Sequence, residues 1–268
     1  MNTSGQSASH EVKLSANLGF LWTELELPAA IRAASAAGFA GVECHFPYDA
    51  DPGRVRDALD ETGLPMIGLN TRTGEADIGL AALPGRTNEA RAAIDQAITY
   101  AAAVGCANVH VMAGRASGTE ARAAYVDNLT YAALTGGAAG VGILIEPINQ
   151  RDMPGYFLSE VETAAEIIHE VDGNAAPGTE RNVAIMFDCY HVQITQGDLL
   201  RRFEAHMPLV GHVQFAAVPS RNEPNESEVD FGWLLPQLYA AGYDGFVGAE
   251  YRPTTTTDAG LGWMEAFG

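Results

Sequence analysis

Short runs of apolar and β-branched residues alternate with longer, alanine-rich segments along almost the whole chain. The short runs have the length and composition of strands, whereas the longer segments place their apolar residues at helical spacing. The pattern predicts eight strands, at residues 12–17, 41–46, 66–70, 107–112, 141–146, 182–188, 210–215 and 245–250. It predicts eight helices, near residues 26–37, 52–62, 87–104, 119–138, 159–171, 195–206, 229–241 and 256–265. Eight strand–helix units of this length indicate an α/β fold, a single (β/α)8 TIM barrel with a closed parallel sheet.

A weak internal repeat supports the barrel. Three predicted helices end in Ala-Gly, and each pair precedes a strand with a glutamate near its end: Glu43, Glu146 and Glu250. Glycine ends a helix in the left-handed conformation, although Ala-Gly pairs also occur by chance in an alanine-rich chain. No linker interrupts residues 12–268, which are therefore expected to form one domain. Residues 1–11 are polar, lack the basic and apolar regions of a signal peptide, and are expected to be a disordered tail.

The composition adds mainly exclusions. The chain has 34 acidic and 15 basic residues, and its net charge of −19 disfavours binding to nucleic acid or to an anionic membrane surface. No run of residues approaches the roughly 18 apolar positions that a membrane span needs. Lys13 is the only lysine, which excludes most Schiff-base chemistry. Three widely spaced cysteines without a CxxC pair fit a reducing environment, and we expect a cytoplasmic protein.

Oxygen-bearing side chains occupy the last inward-facing positions of the predicted fifth to eighth strands: Glu146, Asp188, Gln214 and Glu250. In a TIM barrel these positions lie at the C-terminal face, where active sites form. Any one of the carboxylates could instead cap a helix or pair with an arginine. Three of them together would repel one another without a cation, and three carboxylates with an amide carbonyl suit Mg²⁺ or Mn²⁺ better than Zn²⁺. The sequence therefore predicts a divalent-metal site formed by these four residues.

Segments around these residues resemble the hydroxypyruvate isomerase family, which belongs to the xylose isomerase-like barrels: IEPIN (145–149), FDCYH (187–191), GHVQ (211–214) and AEYRPTTTT (249–257). The resemblance extends over nearly the whole chain, from residues 15–18 to residues 262–264. It implies that the four residues at the rim of the barrel's C-terminal face, Glu146, Asp188, Gln214 and Glu250, bind the metal. It also implies that Glu146 and Glu250 are the catalytic acid/base pair. Related ketose epimerases carry a histidine at the position of Gln214, which favours a hydroxypyruvate isomerase.

The reaction implied by the resemblance interconverts hydroxypyruvate and tartronate semialdehyde through an enediolate. The metal would acidify the C–H bond and stabilise the developing negative charge. A carboxylate on each side of the planar intermediate would remove or return the proton. Glu146 and Glu250, on the fifth and eighth predicted strands, can flank such an intermediate. Which glutamate is the base in which direction stays open.

Four further residues are predicted to bind the substrate. His191 lies in the loop after the sixth strand and matches the substrate-contacting histidine of related barrels. Arg221, after the seventh strand, would bind the substrate carboxylate, because an acidic protein needs a local cation for an anionic substrate. Arg86 is the next candidate for this role. Glu43, near the end of the second strand, could orient a ligand or pair with an arginine, whereas His212 is interpreted as a core residue.

Several alternatives remain at this point. The substrate could be 2-oxo-tetronate or a ketose that undergoes 3-epimerisation, since loops set the choice of substrate. A metal-dependent endonuclease is discounted, because it needs several histidine ligands and a basic surface for DNA, and the chain has seven histidines in total. A non-catalytic sugar-binding barrel is disfavoured by the intact rim carboxylates. The expected partner is a small hydroxy-carbonyl acid, and the oligomeric state, including a homo-oligomer, is left open.

Overall fold

Eight parallel strands lie in one sheet in the computed structural model, which describes residues 12–74, 78–174 and 182–267. Residues 1–11, for which the sequence predicts a disordered tail, lie outside the described residues. The strands are β1 (Leu14–Asn17), β2 (Gly41–Glu43), β3 (Gly68–Asn70), β4 (Asn108–His110), β5 (Gly142–Ile145), β6 (Val183–Asp188), β7 (Val210–Phe215) and β8 (Val247–Ala249). Each one lies within a predicted strand.

The strand order shows how the sheet closes. Neighbouring strands follow the order β2-β1-β8-β7-β6-β5-β4-β3, so β2 and β3 lie at its two ends. An isolated parallel bridge between Val42 and Met66 joins these ends. The Val42 amide donates to the Pro65 carbonyl at 3.0 Å, and the Val42 carbonyl accepts from the Ile67 amide at 2.7 Å. The strands therefore close into a barrel, and the predicted (β/α)8 fold is confirmed.

Helices connect the strands: α1 (Leu27–Ala36), α2 (Pro52–Thr62), α3 (Thr87–Val104), α4 (Gly118–Ala139), α5 (Val161–Asn174), α6 (Cys189–Thr195), α7 (Leu199–His206) and α8 (Phe231–Ala240). Two predicted helices were wrong in detail. The helix predicted at 195–206 begins earlier and is split into α6 and α7, because Gly197 and Asp198 adopt positive φ angles of 66° and 53°. The last predicted helix is a 3₁₀ helix, Asp258–Ala266.

The apolar core lies between the helices and the barrel wall. Helix α3 shows the pattern, since its buried face consists of small and branched apolar residues, including Ile94, Ala97, Ile98 and Ala101. Such burial is the main favourable term in folding. Within the described residues, no helix has the length and apolar character needed to cross a membrane.

Polar side chains fill part of the barrel interior. Glu43 on β2 contacts both His212 and Gln214 on β7. Strands β1 and β8 lie between β2 and β7 in the sheet, so these contacts cross the inside of the barrel. All three side chains are buried. A buried polar layer, formed by Glu43, His212 and Gln214, therefore lies inside the barrel near the carboxyl ends of the strands.

Candidate active site

Three carboxylates meet at the carboxyl ends of the strands. Glu146 directly follows β5, Asp188 is the last residue of β6, and Glu250 directly follows β8. All three are buried. One oxygen of each, together with a ring nitrogen of His191, lies within 4.8 Å of the others. The structure thus brings together three of the four predicted metal ligands and one predicted substrate-binding residue.

The fourth predicted ligand, Gln214, lies beside this cluster on β7. It is paired in register with Asp188 on β6 and with Gly248 on β8. Its Nε2 donates to Glu43 Oε1 at 3.0 Å. Its Oε1 is buried and accepts no hydrogen bond from any described residue. A buried acceptor without a partner costs about 1–3 kcal/mol, so this oxygen is expected to face a ligand.

Asp188 divides its two oxygens between structure and site. Oδ1 accepts from the Tyr190 amide at 2.8 Å and so caps the start of α6. Oδ2 is buried and has no hydrogen bond within the described part of the chain. Together with Gln214 Oε1 and the two glutamates, it gives an oxygen-rich donor set of the kind that Mg²⁺ and Mn²⁺ prefer. The residues present therefore fit such an ion.

The electrostatics of the cluster also fit a cation. Burial, reinforced by the neighbouring Glu250 and Asp188, raises the pKa of Glu146 well above its usual range. Burial and the neighbouring Glu250 raise the pKa of Asp188 to about 8. Burial opposes ionisation of Glu250 as well, but Arg221 and His45 hold its pKa below the usual range. A divalent cation bound among the three carboxylates would offset this repulsion.

Arg221 lies inside the site rather than at its edge. Its Nη2 donates to Glu250 Oε2 at 2.6 Å and is 3.7 Å from Asp188 Oδ2. The guanidinium carbon lies 5.1 Å from the centre of the Phe20 ring and 4.9 Å from that of Tyr190. The Arg221 backbone has a φ of +58°, a strained value that is concentrated at functional sites. Its buried Nε has no hydrogen-bond partner in residues 12–74, 78–174 and 182–267.

His191 presents a hydrogen-bond donor to the carboxylates. Its Nδ1 accepts from the Asn149 backbone amide at 3.4 Å and lies 2.6 Å from Asn149 Nδ2. Burial lowers the pKa of His191 to about 3, so the ring is neutral. Because a neutral imidazole has one donor and one acceptor, Nε2 carries the hydrogen. Nε2 lies 3.7 Å from Glu146 Oε1 and 3.5 Å from Asp188 Oδ2.

The other two predicted substrate-binding residues have different surroundings. Glu43 is buried, and its carboxylate accepts hydrogen bonds from side chains of three other residues: Asn17, His212 and Gln214. Arg86 precedes α3 and is about a third exposed, with its Nη2 donating to Glu89 Oε2 at 2.6 Å. That Glu43 and Arg86 contact the substrate stays a prediction.

Sequence reasoning missed two histidines at the site. His45 Nε2 lies 2.9 Å from Glu250 Oε1. His110, the last residue of β4, is buried with Nδ1 at 3.6 Å from Glu146 Oε2. Neither of its ring nitrogens has a hydrogen-bond partner among the residues described, and burial lowers its pKa to about 3. A neutral imidazole with both nitrogens free can bind a hydroxyl group of a ligand.

Comparisons with known proteins agree on the fold and on the extent of the match. The family described as "Xylose isomerase-like TIM barrel" matches residues 31–267. A 2-oxo-tetronate isomerase of Cupriavidus necator is 40% identical, over 95% of this chain and 98% of that protein. A putative hydroxypyruvate isomerase of Danio rerio is 39% identical, over 96% of this chain and 95% of that protein. A crystal structure described as AP endonuclease, family 2, from Brucella melitensis has a TM-score of 0.88 and 36% identity, covering 95% and 98% of the two chains.

Proposed function

The chain belongs to the xylose isomerase-like TIM barrel family, and we propose that it is a metal-dependent isomerase that interconverts hydroxypyruvate and tartronate semialdehyde. The observation that carries the proposal is the buried cluster at the barrel rim, whose ligand atoms lie within 4.8 Å of one another: Glu146, Asp188, His191 and Glu250. The similar 2-oxo-tetronate isomerase and putative hydroxypyruvate isomerase support a small hydroxy-carbonyl acid as the substrate.

The proposed metal ligands are Glu146, Asp188, Gln214 and Glu250, and the ion is Mg²⁺ or Mn²⁺. When bound, such an ion stabilises negative charge on substrate oxygens. Asp188 Oδ2 and Gln214 Oε1 are buried and have no hydrogen-bond partner among the described residues, which supports this assignment. His191 has its Nε2 hydrogen directed at the cluster, so its proposed role is donation to a substrate oxygen rather than metal binding.

The two glutamates are the proposed proton-transfer groups. One, in its ionised form, removes a proton from C3 of hydroxypyruvate; the electron pair forms the C2–C3 double bond of an enediolate, and the π electrons of the C2 carbonyl move to its oxygen. The hydroxyl proton moves from the C3 oxygen to the C2 oxygen. The C3 carbonyl then forms as the C2–C3 double bond takes up, at C2, the proton that the other glutamate carries from the start. No oxidant or water is consumed. Glu146 follows β5 and Glu250 follows β8, so the two carboxylates come from well-separated strands and can act on different carbons.

Arg221 is the proposed ligand of the substrate carboxylate. Two aromatic rings hold its guanidinium, and its Nε is free of hydrogen bonds to the described residues. Arg221→Ala should lower kcat/KM for hydroxypyruvate about 30-fold or more, because losing one partner of a buried charge pair costs about 2–5 kcal/mol. The loss for neutral glyceraldehyde should be smaller, because it reflects only the broken contact of Arg221 with Glu250 and not a lost contact with a substrate carboxylate. The measurement is the ratio of the two specificity constants in wild type and variant.

The ratio of the specificity constants for hydroxypyruvate and glyceraldehyde also separates the effect of the arginine's charge from the effect of its planar shape. Arg221→Lys should restore only part of the preference for the acid, because an ammonium keeps the charge but loses the planar fork of donors. Arg86→Ala should leave the ratio unchanged, since Arg86 is paired with Glu89. If the ratio changes in Arg86→Ala and not in Arg221→Ala, the carboxylate site must be reassigned to Arg86.

A specific observation favours 2-oxo-tetronate as a second candidate substrate. The Cupriavidus necator relative with 40% identity is named for that reaction, and the same proton transfer would apply to a substrate with one more hydroxylated carbon.

The Brucella melitensis structure is described as an endonuclease. For this chain we propose no nucleic-acid substrate, because a net charge of −19 and a buried carboxylate cluster would repel a phosphodiester backbone.

Turnover in deuterated water tests the proposal. Protein supplied with Mg²⁺ or Mn²⁺ is incubated separately with hydroxypyruvate, 2-oxo-tetronate and a ketose, and products are followed by proton NMR. We expect conversion of the 2-oxo acids, with solvent deuterium appearing at the carbon that receives the proton. Preferential epimerisation of the ketose would replace the proposed substrate class, and no turnover of any of the three would contradict the proposed isomerase.

A further inference from the structure

We propose that Glu43 is a positioning residue for the metal site: its carboxylate fixes the Gln214 amide so that Oε1, rather than Nε2, faces the proposed ion. The inference rests on the proposed metal site and deepens it. It also changes the expected role of Glu43 from a substrate contact to a group that acts through another side chain.

The chemistry of the contact between Glu43 and Gln214 decides which end of the amide meets the carboxylate. Glu43 Oε1 accepts from Gln214 Nε2 at 3.0 Å inside the barrel. An ionised carboxylate can only accept hydrogen bonds, whereas an amide offers an NH₂ group at one end and a carbonyl at the other. The partner of Glu43 must therefore be the NH₂ end of Gln214. The carbonyl end is turned away from Glu43, and Oε1 is buried without a partner among the described residues.

Hydrogen bonds from three side chains hold the Glu43 carboxylate in place. His212 Nε2 lies 2.5 Å from Glu43 Oε2, and Asn17 Nδ2 donates to Glu43 Oε1 at 3.3 Å. With the Gln214 amide, these groups supply three hydrogen-bond donors to a residue that is 3% exposed. Three donors around one carboxylate satisfy its oxygens and fix its orientation. The polar layer beneath the rim therefore supports an acceptor-only group at this position.

The contact between Glu43 and Gln214 requires space, which Gly248 leaves open. Gly248 lies on β8, in register with Gln214. A Cβ atom at position 248 would be 2.3 Å from Glu43 Oε1 and 3.0 Å from Gln214 Cγ. Real Cβ atoms do not come within 3.0 Å of another atom, so a side chain at position 248 would displace the Glu43 carboxylate from its present place. The absence of a side chain at Gly248 is what allows the two to meet.

Asn17 extends the same network to a second proposed ligand. Its Nδ2 lies 3.3 Å from Glu43 Oε1 and 3.1 Å from Glu250 Oε1. Glu43 is thus in direct contact with one proposed ligand and one bridging amide away from another. Groups that orient metal ligands in this way typically contribute about 10–100-fold to metal affinity.

The test measures Mn²⁺ binding by titration calorimetry, without substrate. Glu43→Gln should lower Mn²⁺ affinity about 10–100-fold, because an amide at position 43 no longer selects one end of Gln214. The same substitution in a Gln214→Ala background should have little further effect, since the group through which Glu43 acts is gone. Glu223→Gln is the matched control: Glu223 is also buried, but its Oε1 accepts from the Thr254 amide and hydroxyl. Its Mn²⁺ affinity should equal that of wild type.

The outcomes separate this inference from the proposed function. Wild-type Mn²⁺ affinity in Glu43→Gln, or an equal loss in the wild-type and Gln214→Ala backgrounds, would overturn the positioning role. Failure of the wild type itself to bind Mn²⁺ would overturn the metal site and this inference with it. If Glu43→Gln folds poorly by circular dichroism, Glu43→Asp gives the same comparison. It keeps an acceptor-only carboxylate at shorter reach, and its smaller loss should likewise vanish in the Gln214→Ala background.

Discussion

Removal of bound divalent ions should abolish turnover of hydroxypyruvate, and Mg²⁺ or Mn²⁺ should restore it. Glu146, Asp188 and Glu250 are buried together, and burial and mutual repulsion raise the pKa of Asp188 to about 8 and that of Glu146 well above its usual range. Burial and repulsion therefore disfavour the ionised cluster when no cation is bound. A bound ion would also stabilise the negative charge that develops on the substrate oxygens, so turnover should be lost when the ion is removed.

The measurement combines chelation, elemental analysis and turnover on one preparation. Circular dichroism before and after chelation checks that the fold survives. A second readout is the melting temperature: an ion that binds only the folded chain adds about 2.7 kcal/mol of stability at 100 times its Kd. Mg²⁺ or Mn²⁺ should therefore raise the Tm. Full turnover in protein shown to be metal-free would contradict the proposed metal dependence.

The barrel itself could be predicted because its signals are local and repeated. Each strand of the structure lies inside a predicted one, as β6 (Val183–Asp188) does within 182–188. Alternation of short apolar runs with helical segments needs no knowledge of distant contacts. The split between α6 and α7 was missed because a non-glycine residue, Asp198, takes a positive φ of 53° next to Gly197. An aspartate tolerates this conformation but does not require it.

The overlong strand predictions concealed two site residues. The second strand was predicted at 41–46 but ends at Glu43, and the fourth at 107–112 but ends at His110. Placed inside a strand rather than at its end, His45 and His110 gave no sign that they face the rim. Strand ends depend on hydrogen bonding to neighbouring strands, which a single sequence does not contain.

The structural and functional interpretations of the rim carboxylates proved compatible. Asp188 caps α6 through Oδ1, and Glu250 pairs with Arg221, as carboxylates without any function would do. Each also lies within the cluster that could hold a metal. The contact of Glu43 with Gln214 could not be predicted at all, because it crosses the barrel between residues 171 positions apart. The alternation of side chains along a strand predicts whether a side chain points into the barrel, but not which residue it contacts there.

Glu146→Gln and Glu250→Gln should each lower kcat by about 10²–10⁴-fold, the usual contribution of a general acid or base. Glutamine keeps a carbonyl oxygen at each position, so part of the metal affinity should remain and can be measured separately with Mn²⁺. Glu223→Gln removes the charge of a buried glutamate bonded to Thr254 and serves as the control for general damage. Its turnover should match that of wild type.

Deuterium exchange into unreacted hydroxypyruvate then distinguishes the two glutamates. If one removes the C3 proton and the other delivers a proton to C2, the variant lacking the first loses exchange at C3. The variant lacking the second should still exchange C3 with solvent while forming almost no product, because the enediolate returns to the starting acid. Near wild-type turnover in either variant would remove that glutamate from proton transfer. Equal loss of exchange and turnover in both, with Mn²⁺ affinity lost as well, would mean that the glutamates act only by holding the ion.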